Sequence, residues 1–128
     1  MFCRIVTTSW DDGYQSDMPL ADLLSRYGVQ GTFYVCVNYP PKRLDGRMLR
    51  EMGIVHEIGA HTVNHRVLTD LTESEVEAEV RDSKAYLEDT LGHEVGMFSY
   101  PKGRHTRKIR QIVMGLGFGG ARTTQSFV

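Results

Sequence analysis

The sequence predicts an α/β fold built around a parallel β-sheet with helices packed on it. Short runs of β-branched and apolar residues alternate with helical patterns, which gives about five strands and about four helices. The run at residues 32–37 is continuously apolar, as expected for a parallel strand that is covered on both faces. Since no linker-like segment interrupts the 128 residues, we expect a single domain over residues 1–128.

The first half of the chain begins with a strand and a helix whose ends are marked in the sequence. Residues 4–9 form a short β-branched run, which favours a strand. Leucines at helical spacing predict a helix over residues 17–27, and Gly28 is a suitable C-terminal glycine. The elements predicted around the strand at 32–37 are a loop at 38–42, a helix at 43–52 and a strand at 55–58.

The second half contains the helix with the strongest end signals, at residues 72–91. Thr72 and Glu75 have the spacing of a capping box, several glutamates lie near the N-terminal end, and Gly92 closes the helix. The elements predicted after it are a strand at 95–100, a basic amphipathic helix at 104–116 and a strand at 119–124. The positive face of the basic helix is most simply explained as solvated surface.

Composition and charge exclude several classes of protein. A net charge of −1 gives no reason to expect binding to nucleic acid or to an anionic membrane surface. No apolar run reaches the length of a membrane span, and the N-terminus lacks a signal-peptide profile, so we expect a cytoplasmic protein. Cys3 and Cys36 fall in strand-like segments without a Cys-x-x-Cys spacing, and we expect both to be buried, reduced thiols.

Polar side chains follow three of the predicted strands, at the point where each strand ends. Asp11 and Asp12 come after the first strand, His61 and His65 after the third, and Pro101 after the fourth. In parallel α/β sheets the carboxyl ends of the strands meet at one edge, and chemistry collects there. Three independent polar motifs at the same edge therefore indicate a functional site.

The residue types in these motifs suit a hydrolytic metal site. Two adjacent aspartates repel each other, and no cationic partner lies in the same run, so a structural reason for the pair is hard to find. The histidines His61 and His65 are four residues apart, which can place both imidazoles on one side of a helical turn at chelating distance. One aspartate of the pair could complete the ligand set, and the other would remain for proton transfer.

Each motif also has a simpler explanation when it is considered alone. The Asp-Asp-Gly of residues 11–13 is equally typical of an ordinary turn, and the Tyr-Pro-Lys-Gly of residues 100–103, considered alone, is more typical of a turn than of a site. A lone His-x-x-x-His pair is more often solvated or part of a core than a ligand pair. Because Thr62 follows the first histidine, the pair is not the His-Glu-x-x-His signature. In combination, the three motifs favour a metal site.

The remaining candidate motifs do not indicate chemistry. The glycines between Gly115 and Gly120 follow a helix instead of a strand, so they indicate turns or close backbone packing and not a phosphate loop. His56, His93 and His105 have no partner motif, and we expect them at the surface. The sequence has no Gly-x-Ser-x-Gly motif and no Cys/His nucleophile pattern.

The motifs and their order resemble the polysaccharide deacetylase family, also called the NodB-homology domain or the family 4 carbohydrate esterases. The Ser-Trp-Asp-Asp-Gly of residues 9–13 resembles the family's Thr-Phe-Asp-Asp-Gly, with Trp10 in place of phenylalanine. Residues 61–65 match the family's His-Ser/Thr-x-x-His. Residues 31–35 resemble its second strand, and residues 117–123 resemble the segment after its third motif, so the resemblance covers nearly the whole chain.

The resemblance implies a fold and a cofactor. The fold would be a partial (β/α) barrel of the NodB type. Asp12, His61 and His65 would hold one divalent metal ion, usually zinc, with positions open for water and substrate. The same ligands also suit cobalt, nickel or manganese.

The resemblance also implies a reaction. Asp11 would be the catalytic base that takes a proton from the metal-bound water. Backbone N–H groups near Tyr100 and Pro101 would contact the substrate and help to stabilise the oxyanion. The substrate would be an N-acetylated glycan, and the products would be acetate and a free amino sugar.

The chain departs from the family pattern in two ways. Ser99 stands where the family often has the arginine that orients the base, and Lys102 stands where it has a tyrosine. The family's late motifs, which supply the general acid and a wall of the acetate pocket, have no counterpart, and His105 is no substitute because it lies in a different motif. The last strand would leave an unpaired edge, so we expect either a second copy of the chain or strands outside it to cover that edge.

Two alternatives to a deacetylase stay open at this point. The chain could be a catalytically incomplete member of the family that binds metal or glycan without turnover. It could also be a structural or assembly module that binds no metal. Metal content and acetate release together distinguish the three hypotheses.

Overall fold

The computed structural model describes residues 3–126, in which five parallel strands form one sheet in the order β1-β2-β3-β4-β5. The strands are β1 (Thr8–Trp10), β2 (Gly31–Val35), β3 (Glu57–Ala60), β4 (Met97–Ser99) and β5 (Gly120–Arg122). The helices are α1 (Asp17–Arg26), α2 (Gly46–Met52), α3 (Glu73–Leu91) and α4 (Arg107–Gly115). Strands that are neighbours in sequence are neighbours in space, and a helix lies in each connection, so the sheet forms a half-barrel. The predicted partial (β/α) barrel is confirmed.

The first strand begins later than the sequence predicts. β1 starts at Thr8, whose register pairs it with Gly31 of β2. Ile5 and Val6 lie before the strand, with exposed fractions of 82% and 87%. Within the described residues β1 pairs with β2 alone, so the segment before Thr8 has no strand partner to join. The β-branched run therefore predicted the element correctly but not its bounds.

Two helices also begin later than predicted, because a side-chain cap sets each start. The Asp45 carboxylate accepts a hydrogen bond from the Met48 N–H at 2.9 Å, and α2 begins at the next residue. The Thr106 hydroxyl accepts from the Ile109 N–H at 3.2 Å, and α4 begins directly after it. In both cases the apolar spacing extends past the cap, and the cap decides where the helix begins.

Helix α3 has the two ends that the sequence predicts. The Thr72 hydroxyl accepts from the Glu75 N–H at 3.3 Å, and the Glu75 carboxylate accepts from the Thr72 N–H at 2.9 Å. Gly92 follows the helix in the left-handed conformation, with φ 77°. The helix packs against β3 and α4, so its buried face lies behind the strand that leads to the histidines.

The hydrophobic core lies between the sheet and the helices. Its largest fully buried side chains include Phe33, Leu49, Leu68, Leu87 and Phe98. Cys36 is buried, and its Sγ donates to the His61 carbonyl at 2.7 Å, whereas Cys3 is exposed. Both thiols are free, so the predicted reduced state agrees with the structure, but the predicted burial of Cys3 is wrong because Cys3 precedes the first strand pair.

The described sheet has an edge at β1 and another at β5, each with a single neighbouring strand. The expectation that a second copy or further strands cover an edge stays a prediction. In the part of the chain that the structure describes, no helix has the length and apolar character needed to cross a membrane.

Candidate metal centre

The turn after β1 is held in a tight conformation from two sides. Asp12 and Gly13 have positive φ values of 84° and 85°, so the backbone reverses sharply within the Asp-Asp-Gly run. Glycine is required at the second position, because a Cβ on Gly13 would lie 2.9 Å from a Val35 methyl. The Asp12 carbonyl accepts from the Cys36 N–H at 3.3 Å, and the Gly13 carbonyl accepts from the Leu44 N–H at 2.9 Å. These contacts fix the direction of the Asp12 side chain.

The two histidines lie in a loop and not on the helical turn that their spacing suggested. His61 follows β3, and its N–H donates to the Val35 carbonyl at 3.1 Å. Thr62 and His65 have left-handed φ values of 70° and 57°, a strained conformation for a β-branched residue in particular. The His65 N–H donates to the Thr62 hydroxyl at 3.1 Å. The loop thereby brings the two imidazole rings to 4.9 Å from each other without a helix.

Asp12, His61 and His65 converge at the carboxyl edge of the sheet. Asp12 Oδ1 lies 3.3 Å from His61 Nε2 and 3.1 Å from His65 Nε2, and one ligand atom from each residue lies within 4.8 Å of the others. His61 Nδ1 lies 2.7 Å from the Ser99 carbonyl, which can only accept, so Nδ1 carries a proton. His61 Nε2 must then either carry a second proton or direct a lone pair toward a carboxylate. A divalent cation between the three atoms satisfies these lone pairs, so the residues fit a metal.

Asp11 lies beside this centre and is held by an arginine that the sequence did not single out. Arg122 Nη1 donates to Asp11 Oδ1 at 2.8 Å, and Ser99 Oγ donates to Asp11 Oδ2 at 3.4 Å. Arg122 ends β5, and the strand register pairs it with Ser99 of β4. An arginine therefore reaches Asp11, the predicted base, from the strand next to β4, although Ser99 occupies the usual arginine position. Arg122 could have been found by the rule that placed the other motifs, had the end of β5 been known.

Tyr100 and Pro101, the predicted substrate-binding residues, lie next to the centre but are engaged in other contacts. The Tyr100 N–H donates to the Arg122 carbonyl at 3.1 Å, and the Tyr100 ring is 4% exposed and packs against Phe98. Pro101 is buried and has no N–H to donate. An oxyanion contact from the Tyr100 N–H would require its hydrogen bond with the Arg122 carbonyl to break. The substrate-binding and oxyanion role of the backbone near Tyr100 and Pro101 stays a prediction.

The surroundings shift the pKa values of three ionisable groups near the centre. The pKa of Asp12 is lowered, chiefly by its hydrogen bond with His61 and further by the charges of His65 and Lys102. Partial burial acts in the opposite direction but does not outweigh them. Burial, and then the neighbouring His61, lower the pKa of His65, which favours the neutral imidazole that binds metals. Burial, and then repulsion from Asp12, raise the pKa of Asp17 to about 6. Asp17 Oδ2 is buried without a hydrogen-bond partner among the described residues, so this carboxylate is uncompensated.

Backbone strain is concentrated at the same place. Within residues 3–126, the non-glycine residues with positive φ are Asp12, Thr62, His65 and Lys102. Lys102 has φ 58° and lies in the turn after β4, where its charge acts on Asp12 and His65. Strained residues of this kind persist where the surrounding contacts over-determine the backbone, and they cluster at functional sites. The strain therefore agrees with the carboxyl edge as the location of the candidate site.

Two of the three other histidines are not surface residues, contrary to prediction. His56 is 5% exposed and lies against β2 and α1, where both ring nitrogens have partners. His105 is half-buried, and its ring lies 4.9 Å from the Tyr100 ring. His93 is exposed, as predicted. The sequence could not separate these cases because burial depends on which element packs on each residue.

The half-barrel with an Asp–His–His cluster at its carboxyl edge is the arrangement that the sequence motifs suggested, and comparison with known proteins identifies the family. The family model described as polysaccharide deacetylase matches residues 2–121. The chain belongs to the polysaccharide deacetylase family.

Individual relatives agree with this assignment. Chitin deacetylase 1 of Cryptococcus neoformans is 32% identical over 110 residues, which are 85% of this chain and 23% of that protein. The Streptococcus pyogenes deacetylase PplD, solved in complex with acetate, is 26% identical, with a TM-score of 0.85 over 90% of this chain and 54% of that chain. BA3943 of Bacillus anthracis, described as a pseudoenzyme of the family 4 carbohydrate esterases, shares the fold at 17% identity, with a TM-score of 0.81 over 91% of this chain and 42% of that chain. The chain spans 23% to 45% of the length of the curated relatives that it matches.

Proposed function

We propose that the protein is a metal-dependent hydrolase that removes N-acetyl groups from the amino sugars of a glycan. The observation that carries the proposal is that the two adjacent aspartates at the carboxyl edge make different contacts. Asp12 points to the two imidazoles, whereas its neighbour Asp11 is turned away from them and is held by Arg122. A metal site and a separate base are the two parts that amide hydrolysis by a metal-activated water requires.

Asp12, His61 and His65 would hold one divalent ion, with zinc as the first candidate and cobalt, nickel or manganese as alternatives. The bound ion would make a water molecule acidic and polarise the acetamide carbonyl. The hydrogen bond from His61 Nδ1 to the Ser99 carbonyl fixes the ring and leaves Nε2 as the nitrogen that would bind the ion. The backbone carbonyl of the third motif thus orients a ligand, although the motif itself supplies no metal-binding side chain.

Asp11 would act as the base through Oδ2. Its other oxygen, Oδ1, accepts a hydrogen bond from Arg122 at 2.8 Å, which orients the carboxylate. The contact of Oδ2 with Ser99 Oγ is long, at 3.4 Å, so Oδ2 can accept a proton from an attacking water. The water oxygen would bond to the carbonyl carbon, the C–N bond would break, and the proton held on Oδ2 would be available for the leaving amine.

The experiment measures metal content and acetate release together. The purified protein is loaded with zinc or cobalt and incubated with N-acetylglucosamine oligomers and with peptidoglycan fragments. We expect one metal ion per chain and metal-dependent acetate release. In Asp11→Asn the release should fall about 10²- to 10⁴-fold while metal binding persists, because only the base is lost. Asp22→Asn, an exposed aspartate of α1, is the matched control and should change neither quantity.

A second candidate, binding of metal or glycan without turnover, is favoured by Ser99 and Lys102, which replace residues of the family's third motif. The same experiment separates the two functions. Stoichiometric metal and glycan binding without acetate release would establish the binding protein and contradict the hydrolase. A folded protein that binds no metal would contradict both.

A further inference from the structure

A buried carboxylate on α3 contacts the loop that carries the two histidines. Glu79 is 5% exposed, and the ion pairs formed by the described residues do not include it. Its Oε2 accepts from the N–H groups of Val63 and Asn64, both at 2.9 Å, and its Oε1 accepts from Asn64 Nδ2 at 2.7 Å. A charged side chain is costly to bury unless hydrogen bonds compensate it, and here every such bond comes from one loop.

The loop needs an external constraint to keep its shape. Val63 and Asn64 lie between His61 and His65, and the backbone at Thr62 and His65 is left-handed. Such a conformation is unfavourable for a free chain, so the contacts around the loop must hold it. A neighbouring connection adds support, because the Asn38 N–H donates to the Val63 carbonyl at 2.8 Å.

The side chain of Asn64 has a defined orientation. Its Oδ1 accepts from Asn38 Nδ2 at 3.1 Å, while its Nδ2 donates to Glu79 Oε1. A carboxylate cannot donate, so the amide must present its nitrogen to Glu79. In the hydrogen bond between these two side chains, Glu79 on the helix is the acceptor and Asn64 on the loop is the donor. A double variant can exchange the two roles.

We propose that Glu79 and Asn64 form a clamp that holds the loop in the conformation in which His61 and His65 can bind one metal ion. Glu79 is then a positioning residue for the metal centre, although it lies outside the loop and its hydrogen bonds go to Val63 and Asn64 instead of the histidines. The inference rests on the proposed metal site, but not on hydrolysis. Groups that orient metal ligands commonly change metal affinity about 10- to 100-fold when they are removed.

Reversal of the hydrogen-bond polarity provides the test. Glu79→Gln can serve the two backbone N–H groups with its oxygen, but its NH2 then faces the NH2 of Asn64, donor against donor. Asn64→Asp alone places two carboxylates against each other. The double variant E79Q/N64D restores a donor facing an acceptor, with the roles exchanged and the net charge of the wild type retained. Glu77→Gln, an exposed glutamate on the same helix, is the matched control.

The measurement is the dissociation constant for cobalt(II) by competition with a chromophoric chelator, together with the visible spectrum of the bound cobalt. We expect each single variant to bind cobalt about 10- to 100-fold more weakly with an altered spectrum. The double variant should recover both to within about threefold of the wild type. Urea unfolding of the metal-free proteins, measured in parallel, reports any loss of general stability. Glu77→Gln should match the wild type throughout.

Several outcomes would overturn the clamp. They are a Glu79→Gln variant with the cobalt affinity and spectrum of the wild type, a double variant no better than the singles, or a wild type that binds no metal. If Glu79→Gln does not fold, Asn64→Ala takes its place, because it leaves the two backbone bonds to Glu79 in place, and unchanged cobalt binding in that variant overturns the clamp. Weakened and rescued cobalt binding in a protein that releases no acetate would support the clamp and contradict only the hydrolase.

Discussion

Strand β3 has a buried histidine near each end, and the two residues show how burial can mean opposite things. His56 lies before the strand and is 5% exposed, and His61 lies after it and is 1% exposed. His56 Nδ1 accepts from the Gly31 N–H at 3.1 Å, and its Nε2 lies 3.0 Å from both the Ala21 carbonyl and Ser25 Oγ. Protein groups of the right kind thus satisfy both nitrogens of a neutral ring.

His61 has an acceptor on each side. The Ser99 carbonyl takes the proton of Nδ1, and the Asp12 carboxylate faces Nε2. With the Nδ1 proton donated to Ser99, the Nε2 lone pair of a neutral ring is directed at the carboxylate, and a metal ion between the two would satisfy both. The two histidines therefore differ in the kind of partner they contact and not in burial, and only His61 has the surroundings expected of a metal ligand.

The same contrast extends to the two ends of the sheet. The non-glycine residues with positive φ in the described chain all lie at the carboxyl end, and so do the buried polar atoms without partners, Asp17 Oδ2 and His105 Nδ1. At the amino end, a groove of about 890 Å³ runs past Gly31, Val55 and His56, yet it is lined by ordinary backbone and satisfied polar groups. This groove at the amino end is therefore not the place where chemistry is expected.

The largest expected effect concerns metal binding, and it compares His61 with His56. We expect His61→Leu to lose at least about 100-fold in metal affinity, because it removes one of three ligands. His56→Leu should stay within about threefold of the wild type. The check is the rise in melting temperature when zinc is added, which should vanish in the first variant and persist in the second. Equal losses of metal affinity in the two variants would contradict the distinction between His61 as a ligand and His56 as a structural residue.

The next effect concerns Asp11, the proposed base. It tests whether catalysis and metal binding depend on different residues at the carboxyl end. We expect Arg122→Met to lower kcat for acetate release about 10- to 100-fold, because Asp11 loses the group that orients it. Metal affinity should not change, since Arg122 contacts Asp11 and not the ligand set. Arg107→Met, at an exposed position of α4, is the control. A loss of metal from Arg122→Met would show that Arg122 supports the ligands instead.

The third effect concerns stability at the amino end. His56→Leu leaves the buried Gly31 N–H without its acceptor, which should lower the free energy of unfolding by about 2 kcal/mol. Urea unfolding of the metal-free protein measures this change. An unaltered midpoint would mean that the hydrogen bonds of His56 contribute little and that the residue is a simple packing group.

The smallest effect concerns Asp17, the unpaired carboxylate at the carboxyl end. Its pKa is raised from 3.8 to about 6 in the folded protein, so ionisation is less favourable there than in the unfolded chain. The stability of the metal-free protein should therefore fall as the pH rises from about 4 to about 6. The full shift corresponds to about 3 kcal/mol, and because solvent screens a partly buried group, Asp17→Asn should be more stable by about 1 kcal/mol at pH 7 and equal to the wild type at pH 4. A difference of the same size at both pH values would contradict this origin.

The sequence predicted the order of elements and the residues that meet at the carboxyl edge, because alternation and strand ends are local signals. It did not predict Arg122 as the partner of Asp11, since that contact joins residues 111 positions apart through the register of β4 and β5. Glu79 looked like one of several glutamates that favour a helix N-terminus, and only the packing of α3 shows that it faces the loop. The left-handed backbone of Thr62 has no sequence signal, because a β-branched residue rarely adopts it.

The position of Asp12 in the fold has a consequence for how the protein opens. Asp12 follows β1, a strand of three residues with one neighbour in the described sheet, whereas His61 follows β3, which is paired on both sides. Elements with few partners open at lower free energy than core strands, so we expect β1 to open more easily than β3. An ion held by both residues would therefore join an edge strand to a central strand, and bound metal would lower how often that edge strand detaches.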